Sequence, residues 1–343
     1  MNINEIAWLA GVSRTTVSRY LNNGYVSEEK KEKIRKVIEE TGYQPSTQAQ
    51  MLRTKKTKLV GVVLPKINSD TISREVAGIS DVLAKRGYQI ILANTNNDIE
   101  EELKSLSLFR DNQVDGVIFI ATMFTRKHKQ MLKEYKVPIV ILGQWLEGYP
   151  CVYQDDYYAS YMITEKLLEK GQNAAYIGVT DRDEAVGAKR RKGFEAALHK
   201  KKVPVVPERM KIGNFTMESG YECAKELLQQ TPLIDSLICA TDTMAVGAIT
   251  CIKELGLRIP QDIQVVGIGD SSFGKIIEPK LTTVHFFYKT SGMEAASMLA
   301  DLMENEEGIR KEIKMGCEIV LISCFYYIPV FSDCKAVKTN KSS

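Results

Sequence analysis

Residues 4–22 read NEIAWLAGVSRTTVSRYLN, residues 41–56 read TGYQPSTQAQMLRTKK, and residues 59–65 read LVGVVLP. Asn2 and Glu5 stand at capping-box spacing, and Ile6, Leu9 and Ala10 then recur at helical intervals, which predicts a first short helix. Gly11 breaks it. Ser13 can cap a second helix in which Val17, Tyr20 and Leu21 share one arc of the wheel, while Arg14, Thr15, Ser18, Arg19 and Asn22 share the opposite one. Ser27 is placed to cap a third helix, acidic in its first turn at Glu28 and Glu29, apolar at Ile34, Val37 and Ile38, and ended by Gly42. Three short helices around one small core are expected over residues 1–44.

Two helices joined by a tight glycine turn suit the DNA major groove, because the start of the second helix presents its side chains to base edges. Arg14, Thr15 and Arg19 are the base-reading candidates, with Ser18, Asn22 and Tyr25 beside them on the exposed side. The charge distribution favours this over a merely solvated helix face. Residues 1–58 hold 11 Lys+Arg against 6 Asp+Glu, a net of +5, whereas the remaining 285 residues carry a net of −2. Positive charge is concentrated where phosphate contact would need it.

These motifs, IAWLAGVSRTTVSRYLN at 6–22 and TGYQPSTQAQMLR at 41–53, resemble the N-terminal signature of the LacI/GalR family of bacterial transcription regulators. In that family the segment after the head is a hinge helix that orders on operator DNA, pairs with its twin in the minor groove and wedges a leucine between base pairs. The resemblance assigns that leucine to Leu52, a small residue for close approach to Ala49, and phosphate contacts to Arg53, Lys55, Lys56 and Lys58. Ser46 stands where the family usually has asparagine. The stretch is helix-compatible after Pro45 and too poor in Gly and Ser for a flexible spacer.

The rest of the chain alternates strand and helix. Apolar runs LVGVVL, QIILAN, DGVIFIA and VPIVIL are separated by helical stretches near 71–86, 99–112 and 125–135. A second series, AAYIGV, MKIG, SLICA and QVVGIG, brings helices near 184–200, 217–230 and 243–256. This is how parallel sheets covered on both faces are written. Two such lobes side by side leave a crevice at the carboxyl ends of their strands, where open α/β sheets bind ligands. Periplasmic sugar-binding proteins share that layout.

The same resemblance extends from about Leu59 to Leu321, carried by DGVIF, RRKGFEAAL, CATDTMAVGAI, QVVGIGDSS and PKLTTV. It implies a sugar-type effector between the lobes. Arg190, ahead of Gly193 and Phe194, matches the arginine that hydrogen-bonds ligand in relatives, and a guanidinium fork suits vicinal hydroxyls or phosphate. Thr241 and Asp242 open a loop-to-helix turn beside the cleft, with Asp242 alternatively only a cap. Tyr157 can stack on a sugar ring or serve packing. Where relatives often carry two acids after the first glycine of VGIGDSS, this chain has Gly269 and then Asp270. Either Asp270 takes over the missing role or the effector is anionic, in which case Lys66 and Arg126 are further candidates to meet it.

Enzyme readings find little support. His128, His199 and His285 are the only histidines, none at metal-ligand spacing, and neither a G-x-S-x-G elbow nor a phosphate-binding G-x-x-x-x-G-K-[ST] loop is present. Gly267 and Gly269 do not complete a dinucleotide motif. Seven cysteines, an odd number without a C-x-x-C pair, suggest reduced thiols. No cofactor or metal is expected. A capped helix at the N-terminus in place of a signal peptide, and no 18-residue apolar run, predict a cytoplasmic protein without a membrane partner and argue against a periplasmic binding protein.

The expected architecture is an all-α helix-turn-helix head followed by α/β, two doubly wound parallel-sheet lobes of periplasmic-binding-protein type. Residues 1–44 form the head and 45–58 the hinge helix and linker. Residues 59–321 form the effector-binding and dimerisation domain, with an N-lobe of about 59–157 plus 288–315 and a C-lobe of about 158–284 plus 316–324. Residues 325–343 are an atypical tail with no assigned function. The resemblance implies a homodimeric repressor of a carbohydrate operon, holding two heads on a pseudo-palindromic operator, with a sugar or sugar phosphate between the lobes. Control by a protein co-regulator, or a sugar-processing enzyme with a fused head, remain the alternatives.

Overall fold

The computed structural model describes residues 1–43, 56–111, 114–231, 233–304 and 310–321. The hinge positions Pro45, Ser46, Ala49, Leu52, Arg53 and Lys55, and the tail from 322 onward, lie outside the described residues. The chain forms two compact units, Met1–Lys58 and Leu59–Ser343.

In the first unit, helices α1 (Ile3–Leu9), α2 (Arg14–Leu21) and α3 (Glu28–Thr41) surround a core of Ile6, Ala7, Ala10, Val17 and Ile34. The Asn2 side chain accepts from the Asn4 and Glu5 amides at 2.9 and 3.2 Å, and Glu5 accepts from the Asn2 amide at 3.0 Å, completing the capping box. Gly11 turns the chain at φ +63°, and Ser13 Oγ caps α2 by accepting from the Thr16 amide at 3.2 Å. Ser27 holds the N-cap position of α3 without a side-chain capping bond. Only its carbonyl takes part, accepting from Lys31 at 2.9 Å, so the expected hydroxyl cap is corrected to a backbone one.

The second unit starts with β1 (Leu59–Leu64), α4 (Asp70–Lys85), β2 (Gln89–Asn94), α5 (Ile99–Asp111), β3 (Gly116–Ile120), α6 (Arg126–Lys133), β4 (Ile139–Leu142) and β5 (Cys151–Gln154). The chain then passes through α7 (Asp156–Leu167), β6 (Ala174–Gly178), a π-helical segment (Glu184–Lys189) continuous with α8 (Arg190–Lys201), β7 (Met210–Ile212) and α9 (Met217–Gln230). It continues with β8 (Ser236–Cys239), α10 (Asp242–Glu254), β9 (Gln264–Val266), α11 (Ser272–Ile276) and β10 (Thr283–Phe286). Finally α12 (Tyr288–Glu304), β11 (Glu312–Met315) and β12 (Cys317–Val320) follow.

One sheet has the order β11-β5-β4-β3-β1-β2 with every pairing parallel. The other has the parallel order β7-β6-β8-β9, joined through a Val266–Thr282 bridge to β10, which pairs antiparallel with β12. The chain therefore crosses between lobes after β5, after β10 and between β11 and β12. In the first lobe alternate residues of β1 serve different layers: Val60, Val62 and Leu64 meet α4 and α12, whereas Val63 joins Phe109 and Leu106 of α5. The edge strand β2 departs from the fully covered pattern expected of its apolar run, leaving Ile91 and Leu92 exposed. Helices α4 and α12 touch backbone to backbone. A Cβ on Gly78 would stand 2.0 Å from the Lys289 carbonyl oxygen, and one on Gly292 would stand 2.1 Å from that of Glu75.

Candidate functional site

On the head, α2 buries Val17 and leaves Arg14, Thr15 and Arg19 exposed; Asn22 and Tyr25 are exposed beyond its end and Ser18 is half-buried. The Asn22 amide is spent on its own helix, donating to the Ser18 carbonyl. Tyr25, 91% exposed, packs on no core. The basic residues of α3 are largely neutralised within that helix: Lys31 pairs with Glu28 at 2.6 Å, Lys33 with Glu29 at 2.7 Å and Arg35 with Glu32 at 2.6 Å. Arg14 and Arg19 enter no ion pair with a described residue. The uncompensated charge of the head's described residues is thus concentrated on α2, the element whose N-terminal turn suits a groove. Lys56 is half-buried at the end of the unit.

Between the lobes lies a cavity of about 470 Å³, lined from both sides, which falls within the range of small-molecule clefts. Arg190, 3% exposed, is fixed by Asp156, which accepts from Nε at 2.8 Å and Nη2 at 2.7 Å. Its Nη1 donates to the Ala240 carbonyl, and the guanidinium lies 5.4 Å from the centre of the Phe286 ring. Burial alone lowers the arginine's proton affinity, and Asp156 more than restores it, so the guanidinium stays charged; burial in turn raises the Asp156 carboxyl, with Arg190 opposing the rise. Asp242 accepts from the Ser271 amide at 2.6 Å and the Thr283 hydroxyl at 2.5 Å. Its neighbour Thr241 provides the cap of α10, accepting from the Met244 amide at 3.3 Å, so the acid is left for the cavity and for the loop at 269–271. Burial pushes Asp242 up to about 6.

Asp183 reaches the same cavity because the π-helical segment begins beside it. The Gly187 and Ala188 amides donate to its carbonyl at 3.0 and 2.9 Å, and its carboxylate caps the segment at the Val186 amide at 2.9 Å. Gln144, beyond the carboxyl end of β4, donates across the cleft to Asp183 at 2.8 Å. Burial pushes Asp183 up to about 6. From α4, Arg74 pairs with Asp70 at 3.1 Å, lies 5.1 Å from the centre of the Tyr288 ring and donates to the Gly269 carbonyl at 2.8 Å. Ser272 donates to Asp70 at 3.2 Å. These bonds join the lobes around the cavity.

Of the residues singled out in sequence, Arg190, Thr241, Asp242 and Lys66 line this cavity, and the other four do not. Phe194 is buried against Tyr176, ring centres 4.9 Å apart, and packs in the C-lobe core. Tyr157 is 43% exposed and stacks on Tyr161 instead. Arg126 is exposed at the start of α6. Asp270 turns its carboxylate to His285 at 2.7 Å and Lys275 at 3.0 Å, so it does not take over for the acid missing at 269. Sequence reasoning missed Glu75, Gln144, Gln154, Asp156, Asp183 and Tyr288. For Glu75 a signal existed: it sits on the apolar stripe Ile72, Val76, Ile79, Leu83, where an acid is out of place.

None of the three histidines lines the cavity. His128 is buried, with Nε2 3.2 Å from Glu102 and Nδ1 accepting from the Thr125 amide at 3.2 Å. Among the described residues no group of His, Cys, Asp or Glu is arranged to hold a metal, and no helix is long and apolar enough to cross a membrane.

Comparison with known proteins agrees with this geometry. Residues 57–328 match the family described as periplasmic binding proteins and sugar binding domain of the LacI family, and residues 2–46 match bacterial regulatory proteins of the lacI family. The chain is 32% identical to the sucrose operon repressor of Staphylococcus xylosus over 306 residues, covering 89% of this chain and 94% of that one. Among solved structures it is similar to a transcriptional regulator CelR–cellobiose complex, at 28% identity and TM-score 0.73, covering 94% of this chain and 99% of the other. The fold is shared with the lac repressor dimer bound to operator and an anti-inducer, at 22% identity, TM-score 0.85, and 94% and 98% coverage. With both its head and its two-lobed body matched, the chain belongs to the LacI family of bacterial regulatory proteins and is a DNA-binding transcriptional regulator.

Proposed function

We propose that this regulator is a homodimeric, cytoplasmic repressor of a carbohydrate-utilisation operon, and that a sugar of about disaccharide size bound between the lobes changes its affinity for operator DNA. The observation that carries this reading is the cavity of about 470 Å³ with Arg190, Asp183, Asp242 and Thr241 converging on it from the C-lobe and Lys66, Gln144 and Glu75 from the N-lobe. A ligand that touches both lobes binds their alternative arrangements unequally, and only such a difference can shift the DNA-binding equilibrium. Arg14, Thr15 and Arg19 are the proposed base readers, with Tyr25, Lys56 and the segment containing Leu52 as backbone and minor-groove contacts. The sucrose operon and cellobiose named for the two relatives support a disaccharide.

The test is a titration of disaccharides and their phosphate esters against a DNA site selected from a random-sequence pool, read by fluorescence anisotropy and by thermal stability. A sugar that releases DNA must itself bind more weakly when DNA is present, by the same factor. If no sugar changes either readout while a phosphorylated carrier protein does, control by a protein co-regulator replaces this reading.

A further inference from the structure

We infer that Glu75 and Gln154 are the specificity-determining pair of the cleft, selecting an uncharged, hydroxyl-rich sugar over its phosphate ester. The inference rests on the cleft being the effector site. Glu75 is 3% exposed and Gln154 4%, both line the cavity, and Oε2 of Glu75 and Oε1 of Gln154 are buried with no hydrogen-bond partner among the described residues. A buried polar atom left unpaired costs free energy that a ligand recovers by pairing it.

The geometry says what each atom wants. Ser291 Oγ donates to the Phe287 carbonyl at 2.9 Å, which commits its proton. It can therefore only accept from Gln154, whose Nε2 lies 2.7 Å away. That bond fixes the amide with Oε1 as a free acceptor. Glu75 cannot withdraw, because its carbonyl oxygen sits where a Cβ on Gly292 would be, locking α4 against α12. Burial also pushes the Glu75 carboxyl up to about 8, which lets it donate as well as accept near neutrality. Two fixed acceptors, one of them also a donor, match the hydroxyl groups of a sugar ring.

A phosphate meets the opposite environment. The cavity is lined by the acids Asp70, Glu75, Asp156, Asp183, Glu218 and Asp242, against Lys66 and Arg190. The charge of Arg190 is already balanced by Asp156, which it contacts through Nε and Nη2, and an added dianion would be desolvated beside carboxylates.

Calorimetric titration of the full chain with sucrose, cellobiose and the 6-phosphate esters of both tests this, alongside Glu75→Leu, Glu75→Gln and Gln154→Leu. The wild type is expected to bind at least one uncharged disaccharide about tenfold or more tighter than its ester. Glu75→Leu and Gln154→Leu should each weaken that sugar about tenfold, the size of one lost buried hydrogen bond. Both variants should still unfold in one cooperative transition and bind DNA in the absence of sugar, so that a loss of sugar affinity is not a loss of folding. Glu75→Gln, which like the protonated carboxyl offers both a donor and an acceptor, should bind the uncharged sugar near neutrality and leave the gap to the ester in place. Tighter wild-type binding of an ester, or unchanged sugar affinity in both leucine variants, overturns the inference and leaves the sugar-responsive reading standing. Binding of none of these sugars or esters by the wild type removes that reading and the inference with it.

Discussion

Replacing Glu75 by glutamine should make the unliganded protein more stable, and increasingly so as the pH rises. Burial is the main reason the Glu75 carboxyl moves from 4.5 up to about 8, with Asp156 on α7 adding to the rise and Arg74 on its own helix opposing it. Tyr288 from α12 also lies close enough for its hydroxyl to feel the Glu75 charge. A carboxyl raised in the folded state binds a proton on folding, so stability falls as the pH climbs from the unfolded value to the folded one and is level outside that window. At about 1.4 kcal/mol per unit, the cost is under about 1 kcal/mol at pH 5 and approaches about 4 kcal/mol at pH 7.5. Glutamine removes the titration while its own burial cost is the same at both pH values. The gain of Glu75→Gln over wild type should therefore be larger at pH 7.5 than at pH 5 by about 3 kcal/mol. Because Asp183 and Asp242 titrate in both proteins, their contributions cancel in the comparison. Urea unfolding of the full chain at the two pH values, following the transition of the two-lobed unit, is the assay. A pH-independent difference between variant and wild type would refute the reasoning, since it would mean that Glu75 is ionised in the folded state.

On the DNA side, Arg14→Ala is expected to relax sequence preference, whereas Lys56→Ala should weaken all sites evenly and reduce the salt slope by about 1; equal, sequence-blind losses in binding titrations of both variants would contradict the assignment. Asp156→Ala strands the buried Arg190 and should cost about 3–5 kcal/mol in denaturant unfolding. Asp155→Ala, which removes the α7 cap at the Tyr158 amide 3.2 Å away, should cost only about 1 kcal/mol, and comparable losses would show that the Arg190 pair is not structural. Gly78→Ala should lower the melting temperature despite the better helix propensity of alanine, because its Cβ would stand 2.0 Å from the Lys289 carbonyl oxygen; a rise would mean that α4 and α12 separate easily.

Much of this architecture is legible in the sequence because its signals are local. The capped helices of the head, the strand runs of both lobes and Gly42 at the end of α3 depend on neighbours a few residues away. The site is less legible because its residues arrive from different elements. Arg190, Thr241 and Asp242 announce themselves through motif and turn chemistry. Gln144, Gln154 and Asp156 fall at or just beyond the carboxyl ends of β4 and β5, where open sheets place ligands, but a glutamine there looks like any loop residue. Phe194 and Tyr157 show the converse: each sits beside a cleft residue in sequence or helix turn, and each is turned elsewhere by packing. Asp270 was the natural substitute for the acid absent at 269, yet no linear pattern reveals that His285, 15 residues away on a neighbouring strand, claims its carboxylate.

The π-helical turn at Glu184–Lys189 has a further consequence. A π turn holds one more residue than an α turn, so this stretch is in effect an insertion that the helix has absorbed. The Asp183 carbonyl accepts from both Gly187 and Ala188, at 3.0 and 2.9 Å. Removing one residue inside the segment would turn the longer of these two loops into an ordinary α turn and leave both flanks in their present register. Asp183 and Arg190, which stand at the two ends of the segment, are thus spaced across the cavity by a turn whose extra residue can be lost without moving either of them.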